Sequence, residues 1–225
     1  MSGHEDEPRR DKREPVPPLI VWREGTIDVE DGPGINVFFV NNRIEKLENR
    51  AKAIMCPSNI YLTRGAAGVE NAIHAATEDG PFNDAAEHVL FEFPNGEVPH
   101  GFVYAVDAAG RLKVQGTEKI IFAAMVGRED KLRGDIAALC VANTMIATEE
   151  HNLTSLAIPL VGSGLMGLMP ARSLEAIGAA LPRYRKNRLP LGRLQELYIT
   201  VPKPNEATWK AIHADLPWFT PKKAA

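Results

Sequence analysis

Most of the usual signatures of chemistry are scarce in this chain. Its 225 residues include two cysteines, Cys56 and Cys140, both in apolar surroundings and in no C-x-x-C. That excludes a disulfide framework and a thiolate zinc site, and it fits a reducing, cytoplasmic setting. No apolar run reaches the length of a membrane span, so no membrane partner is expected. The opening "MSGHEDEPRRDKREPVPP" has no apolar core and does not read as a signal peptide. Charge of one sign is not in excess: 26 Lys and Arg stand against 29 Asp and Glu, a net of −3, so no global pull toward nucleic acid is expected. The six histidines show no metal-ligand spacing. No Ser-His-Asp or Cys-His arrangement stands out, and no resident metal or cofactor is expected.

What is present is a globular composition, 44% apolar and 24% charged, with length for one sizeable domain. Residues 1–17 are charged and proline-rich and read as a disordered tail, leaving a domain over 18–220. Arg9, Arg10, Lys12 and Arg13 offer a short nucleic-acid or partner contact, against which interleaved acids work. Strands are read at 19–23 and 35–40 across the turn-rich "EDGPG", at 51–59 stopping at Pro57, and at 89–93, 101–106, 119–126, 154–161 and 196–201. The run "TSLAIPLV" does not alternate, so it is expected to be covered on both faces, as in a parallel sheet.

Helices are read at 68–76, with Val69, Ala72, Ile73 and Ala76 on one face and "EDGP" as the breaker, and at 134–151, with Ile136, Leu139, Cys140 and Ile146 inward. Another opens at Pro170 and carries Leu174, Ile177 and Leu181. Asn205 can cap a last helix with Trp209 and Ile212 on its buried side. "DAAGR" reads as a turn and the basic "RYRKNR", 183–188, as a solvated connector. Strands alternating with helices through the second half define an α/β domain of three layers.

The stretch "AIPLVGSGLMGLMP" drives an apolar run into Gly162-Ser163-Gly164-Leu165-Met166-Gly167, which satisfies G-x-G-x-x-G. A dinucleotide fingerprint belongs in the first βα turn, with an acid about 20 residues on. Here the glycines come late, and the matching position is Asn187, inside the basic run. No Lys-Ser or Lys-Thr follows, so a P-loop is excluded as well. The physical logic remains: a buried strand ends, small residues turn the backbone, a helix begins, and amide N–H groups converge where an anion can sit. The alternative is an ordinary tight turn. A second stretch, "CPSNIYLTRGAAGVENAIH", repeats the design with Asn59, the loop Gly65-Ala66-Ala67-Gly68 and a helix. Two such loops at the carboxyl ends of strands would face one crevice and suit a diphosphate.

These residues resemble the macro domains, which bind ADP-ribose. The family's strand into Asn, glycine loop and V-x-x-A-I-H is matched by Asn59, 65–68, Val69, Ala72, Ile73 and His74. Its I-P-x-x-G-[ST]-G-x-x-G is matched by Ile158, Pro159, Gly162, Ser163, Gly164 and Gly167. The resemblance spans about residues 35–215 and implies a three-layer α/β/α fold around a mixed sheet. It implies ADP-ribose or a derivative as ligand and, as partners, ADP-ribosylated protein or nucleic acid. Several positions depart from the pattern. The first loop reads Gly-Ala-Ala-Gly and is one residue longer. Asn42-Arg43-Ile44 stands where the family's adenine-reading acid sits in G-D-I, and Met166 stands where an aromatic is common.

The resemblance makes Asn59, Glu70 and His74 the catalytic candidates. The ligand set is Asn59, Gly65, Ala66, Ala67, Gly68, Val69, Gly162, Ser163, Gly164, Leu165, Met166, Gly167, Asn42, Arg43 and Ile44. Asn59 contacts a ribose or makes an Asx turn. Glu70 is a general base for water or a favourable acid in a helix's first turn. His74 faces the distal ribose or is a satisfied helix histidine. Three functional classes stay open: an ADP-ribosyl or O-acyl-ADP-ribose hydrolase, a non-catalytic reader, and an RNA- or protein-interaction module that keeps only the fold. Ala66 and Ala67 put methyl groups where consecutive glycines would let amides approach, which implies slow hydrolysis at most. Gly164→Glu is expected to abolish ADP-ribose binding in a folded protein, because its carboxylate fills the phosphate site and repels the diphosphate. Calorimetry checks this, and unchanged affinity would place the anion elsewhere.

Overall fold

Five strands run parallel through the middle of an eight-stranded sheet. The computed structural model describes residues 19–29, 32–65, 68–127, 133–163, 167–189 and 192–222, so the tail expected at 1–17 lies outside the described residues. In chain order the strands are β1 (Val21–Ile27), β2 (Ile35–Val40), β3 (Ala53–Asn59), β4 (Val103–Asp107), β5 (Lys119–Val126), β6 (Ser155–Pro159), β7 (Glu196–Thr200) and β8 (Thr220–Pro221). Their order across the sheet is β4-β5-β3-β6-β7-β2-β1-β8. The strands β5, β3, β6, β7 and β2 are parallel, and β4, β1 and β8 attach antiparallel to their neighbours. The sheet is therefore mixed, as expected.

The layers follow from the period-2 alternation of the strands. Val37 and Phe39, Met55, Ile121 and Ala123, Leu156 and Ile158, and Leu197 and Ile199 face one way. They pack on α4 (Gly134–Glu150), α5 (Pro170–Asn187) and α6 (Glu206–His213). Val40, Ile54 and Cys56, Ile120 and Phe122, Ala157 and Tyr198 face the other way. They pack on α1 (Gly68–Ala76), α2 (Gly80–Glu92) and α3 (Gly110–Val114). β6 is buried along its whole length, as its unbroken apolar pattern requires. Asn205 caps α6, its side chain accepting from the Thr208 N–H at 2.8 Å.

Several sequence expectations are corrected. The segment 89–93 is not a strand but the end of α2, whose Phe82, Ala85 and Val89 form the buried stripe while Leu90 and Phe91 are exposed. Aromatic composition mimicked a strand where a 3.6-residue period was present. β1 lies later than 19–23, and helix α3 grows directly out of the "DAAGR" turn. β3 does not stop at Pro57 but continues to Asn59. In α4 the buried face is made by small residues, Ala137, Ala138, Val141 and Ala142, while Ile136, Leu139 and Ile146 are only half-buried. Trp209 is 44% exposed rather than buried.

The basic run 183–188 is the last turn and a half of α5, not a connector. Its Tyr184 and Arg188 turn inward to Glu149 of α4, which is 1% exposed. The Glu149 carboxylate accepts from the Tyr184 hydroxyl at 2.7 Å, Arg188 Nε at 3.3 Å, and the N–H groups of Leu189 at 3.2 Å and Leu194 at 3.4 Å. One buried acid thus anchors the connection into β7. Glu149→Ala is expected to cost about 3–5 kcal/mol in denaturant unfolding, because it leaves a buried guanidinium and two amides without their acceptor. A loss below about 1 kcal/mol would mean that solvent already reaches this group.

Candidate functional site

Four neighbouring parallel strands end on one cavity of about 780 Å³. Its walls are Arg43, Ile44 and Glu45 after β2, residues 200–205 from the end of β7 onward, and Pro159, Leu160, Gly162 and Ser163 from the end of β6 onward. Pro57 of β3 and one side of α1, from Gly68 to Ala75, complete them. A crevice outside the carboxyl ends of parallel strands is where open α/β sheets bind ligands.

The opening has a cause in the sheet. β3 and β6 are paired only at Ala53–Leu156 and Ile54–Ala157, although both strands run on beyond those residues. Pro57 and Pro159 lie past the last paired residues, and neither has an N–H to extend the ladder. The two strands therefore part toward their carboxyl ends, and α1 and the 159–163 segment wall the gap. Pro57 is tolerated inside β3 because on this side the ladder has already ended.

Glycines shape both edges. Gly68, the first residue of α1, and Gly162 both line the cavity and have φ of 74° and 76°, a left-handed conformation that residues with a Cβ rarely adopt. The second loop is closed by the Leu168 N–H donating to the Gly162 carbonyl at 2.9 Å, and the Ser163 hydroxyl donates to the Leu160 carbonyl at 2.7 Å. Ala66, Ala67, Gly164, Leu165 and Met166 lie outside the described residues.

Glu70 is the polar centre of one end. It lines the cavity, is 8% exposed, accepts from the Ser58 hydroxyl at 2.5 Å, and is held by the Gly65 N–H. A Cβ at Gly65 would stand 1.7 Å from a Glu70 carboxylate oxygen, so a larger residue there would displace that carboxylate. Burial raises the Glu70 pKa to about 7, and the bonds from Ser58 and Gly65 only partly oppose it. The group therefore changes charge near neutrality inside a ligand-sized cavity.

The other candidates are placed differently. Asn59 turns into its own loop, its Nδ2 donating to the Thr63 carbonyl and its Oδ1 accepting from the Tyr61 N–H, each at 2.9 Å. That is an Asx turn. The His74 ring packs edge-on against Phe82 and sits 3.1 Å from Asp79. Among the described residues, Asn59, Gly65 and His74 do not line the cavity, whereas Gly68, Val69, Glu70, Gly162, Ser163, Arg43 and Ile44 do. Asn42 is turned back, bonding the Lys46 carbonyl at 3.0 Å and the Arg43 N–H at 2.9 Å. Gly167 has φ of 69°, and among the described residues nothing lies within 4 Å of where its Cβ would stand.

Two features escaped the sequence reading. The acid absent from Asn42-Arg43-Ile44 has a neighbour in Glu45, which is 4% exposed and lines the cavity beside Arg43 at 3.8 Å. An acid between Ile44 and Leu47, both buried in one 3-10 turn and its end, was the available signal. The segment Pro202-Lys203-Pro204 also forms a wall, and its clue was a double proline between the last strand and the Asn205 cap. Among the described residues there is no cluster of side chains suited to a metal, and no helix is long and apolar enough to cross a membrane.

The fold is that of the macrodomains. The Oceanobacillus iheyensis macrodomain with MES bound is 18% identical at a TM-score of 0.64, over 84% of this chain and 92% of that one. A point mutant of the same macrodomain with ADPR is 19% identical at 0.63, over 84% and 96%. The Trypanosoma brucei macrodomain in complex with ADP-ribose is 17% identical at 0.56, over 78% and 66%. No family model matches the sequence, and no curated protein does either.

A raised acid has a defined effect on stability. Between pH 4.5 and about 7 Glu70 is protonated in the folded chain and ionised in the unfolded one, so stability falls as pH rises through this window. The expected loss is about 3 kcal/mol, complete above the folded value. Glu70→Gln, which keeps an acceptor for Ser58, is expected to remove this dependence and to be more stable than the parent at pH 8. Thermal unfolding across pH checks it, and parallel profiles for the two proteins would contradict it.

Proposed function

We propose that this protein binds ADP-ribose or a close derivative in the crevice at the ends of β3, β6, β7 and β2. The observation that carries the reading is one cavity with a glycine-shaped anion wall in its middle and a buried carboxylate at each end, Glu70 and Glu45. The bound ligands of structures with the same fold support it. The diphosphate lies against the amides around Gly68 and Gly162–Ser163, where a side chain would block approach. Glu45 accepts from the exocyclic amino group of the base, and the ribose at the other end of the diphosphate points toward Glu70. Its modified partners are ADP-ribosylated protein or nucleic acid.

One observation favours a second reading, hydrolysis of an ADP-ribosyl linkage. A carboxyl that ionises near neutrality in a ligand-sized cavity is suited to accept a proton from water attacking the anomeric carbon. The water oxygen bonds to that carbon as the bond to the modified group breaks. Glu70 takes the water's proton. Asn59 has no part in this step, because its side chain is engaged in its own turn, and His74 does not line the cavity, its Nε2 facing Asp79.

Calorimetry tests binding, and release of ADP-ribose tests hydrolysis. ADP-ribose is expected to bind the parent protein and raise its melting temperature by mass action. Glu45→Ala is expected to weaken binding about tenfold, the loss of one charge-assisted hydrogen bond. No heat and no thermal shift at millimolar ligand would overturn the binding reading. For hydrolysis, release of ADP-ribose from modified protein should rise with pH through about 7, and Glu70→Gln should abolish it. A binding protein without release is a reader.

A further inference from the structure

The end of the crevice formed by β2 and β7 carries a positive pair to which the reading above gives no role. The two strands are parallel neighbours, with Val40 opposite Thr200. Arg43 lies three residues beyond Val40, and Lys203 lies three residues beyond Thr200. The loops that follow are tied together. The Val201 N–H donates to the Val40 carbonyl at 2.9 Å, and the Lys203 N–H meets Asn41 Oδ1 at 3.5 Å. Both cations therefore arrive at one end of one cavity, and both line it.

Each cation is positioned by its surroundings. Glu45, 3.8 Å away, holds the Arg43 guanidinium, whose side chain is still 64% exposed and has donors left over. Lys203 stands between Pro202 and Pro204 with φ of 51°, which fixes the direction of its loop. Among the described residues Lys203 has no ion-pair partner. The amino end of α6 opens on the same wall through Asn205 and Thr208 and adds to the positive potential. One acid faces two cations and a helix end, which leaves a net positive subsite.

Placement tells which part of the ligand meets it. The glycine wall lies on β3 and β6, and β7 and β2 are the next two strands to one side. Strand spacing puts the cations roughly 10 Å from the anion wall, about one nucleoside away. We propose that the crevice takes a nucleotide with a further phosphate, a phosphomonoester on the ribose of the nucleoside, which Arg43 and Lys203 bind together. The ligand class is then 2′-phosphorylated ADP-ribose, the skeleton of a phosphorylated nicotinamide dinucleotide without its nicotinamide. Arg43 in place of a carboxylate is consistent with this: it leaves Glu45 as the one acid at this end and sets two cations against it. The proposal rests on the reading that the crevice binds ADP-ribose.

The test is parallel calorimetry with ADP-ribose and 2′-phospho-ADP-ribose at low salt. The phosphorylated ligand is expected to bind about fivefold tighter or more, the sum of two exposed charge contacts. That advantage should shrink as salt is raised. In the double variant Arg43→Gln, Lys203→Gln, the ratio of the two affinities should fall to about one, whatever happens to each affinity alone. Equal or weaker binding of the phosphorylated ligand by a parent protein that binds ADP-ribose overturns the subsite and leaves the crevice reading standing. A ratio unchanged in the double variant also overturns it. Binding of neither ligand overturns both.

Discussion

The place where β3 and β6 stop pairing governs the rest of the site. A parallel sheet that stayed closed to its carboxyl edge would leave only a shallow surface there. Two pairs hold β3 to β6, and beyond Ile54 and Ala157 the strands part, with Pro57 and Pro159 flanking the gap. The buried apolar faces on both sides keep the sheet from collapsing into it. The amino end of α1 and the 162–163 turn line one cavity beside this divergence, and a ligand-sized space remains. Gly68, Glu70, Gly162 and Ser163 all line the cavity at that divergence.

The crevice holds charges that are costly to bury. Glu70 is protonated to near neutrality because the fold gives it one hydroxyl and one amide in place of water. Glu45 keeps only a 3.8 Å approach to Arg43. Glu149, equally buried on the opposite side of the sheet, is fully occupied by a phenol, a guanidinium and two amides. The contrast separates the two kinds of buried acid. One is saturated with protein partners and stabilises the fold. The others retain acceptor capacity toward an open cavity, a pattern associated with binding sites.

What the sequence disclosed, and what it did not, follows the range of the interactions. The helix at 68–76 and the strands at 35–40 and 119–126 were legible because period and turn chemistry are local. The two glycine positions at the cavity's edges, Gly68 and Gly162, were legible for the same reason, a strand, a small-residue stretch and a helix within a dozen residues. The basic run 183–188 misled, because its inward Tyr184 and Arg188 answer to an acid on another helix. Glu45 and Lys203 were invisible as a pair, since only the β2–β7 register brings their loops together. Asn59 has the residue type of a ligand contact, but its short side chain finds partners two and four residues on, inside its own turn.

The central proposal is that the gap between β3 and β6 is a diphosphate site. The most direct measurement is a crystal structure of the protein soaked with ADP-ribose. The account requires the diphosphate between the amides around Gly68 and those of Gly162–Ser163, with the base toward Glu45 and the other ribose toward Glu70. Ligand density anywhere else, or a crevice filled only by water at saturating ADP-ribose, would contradict it.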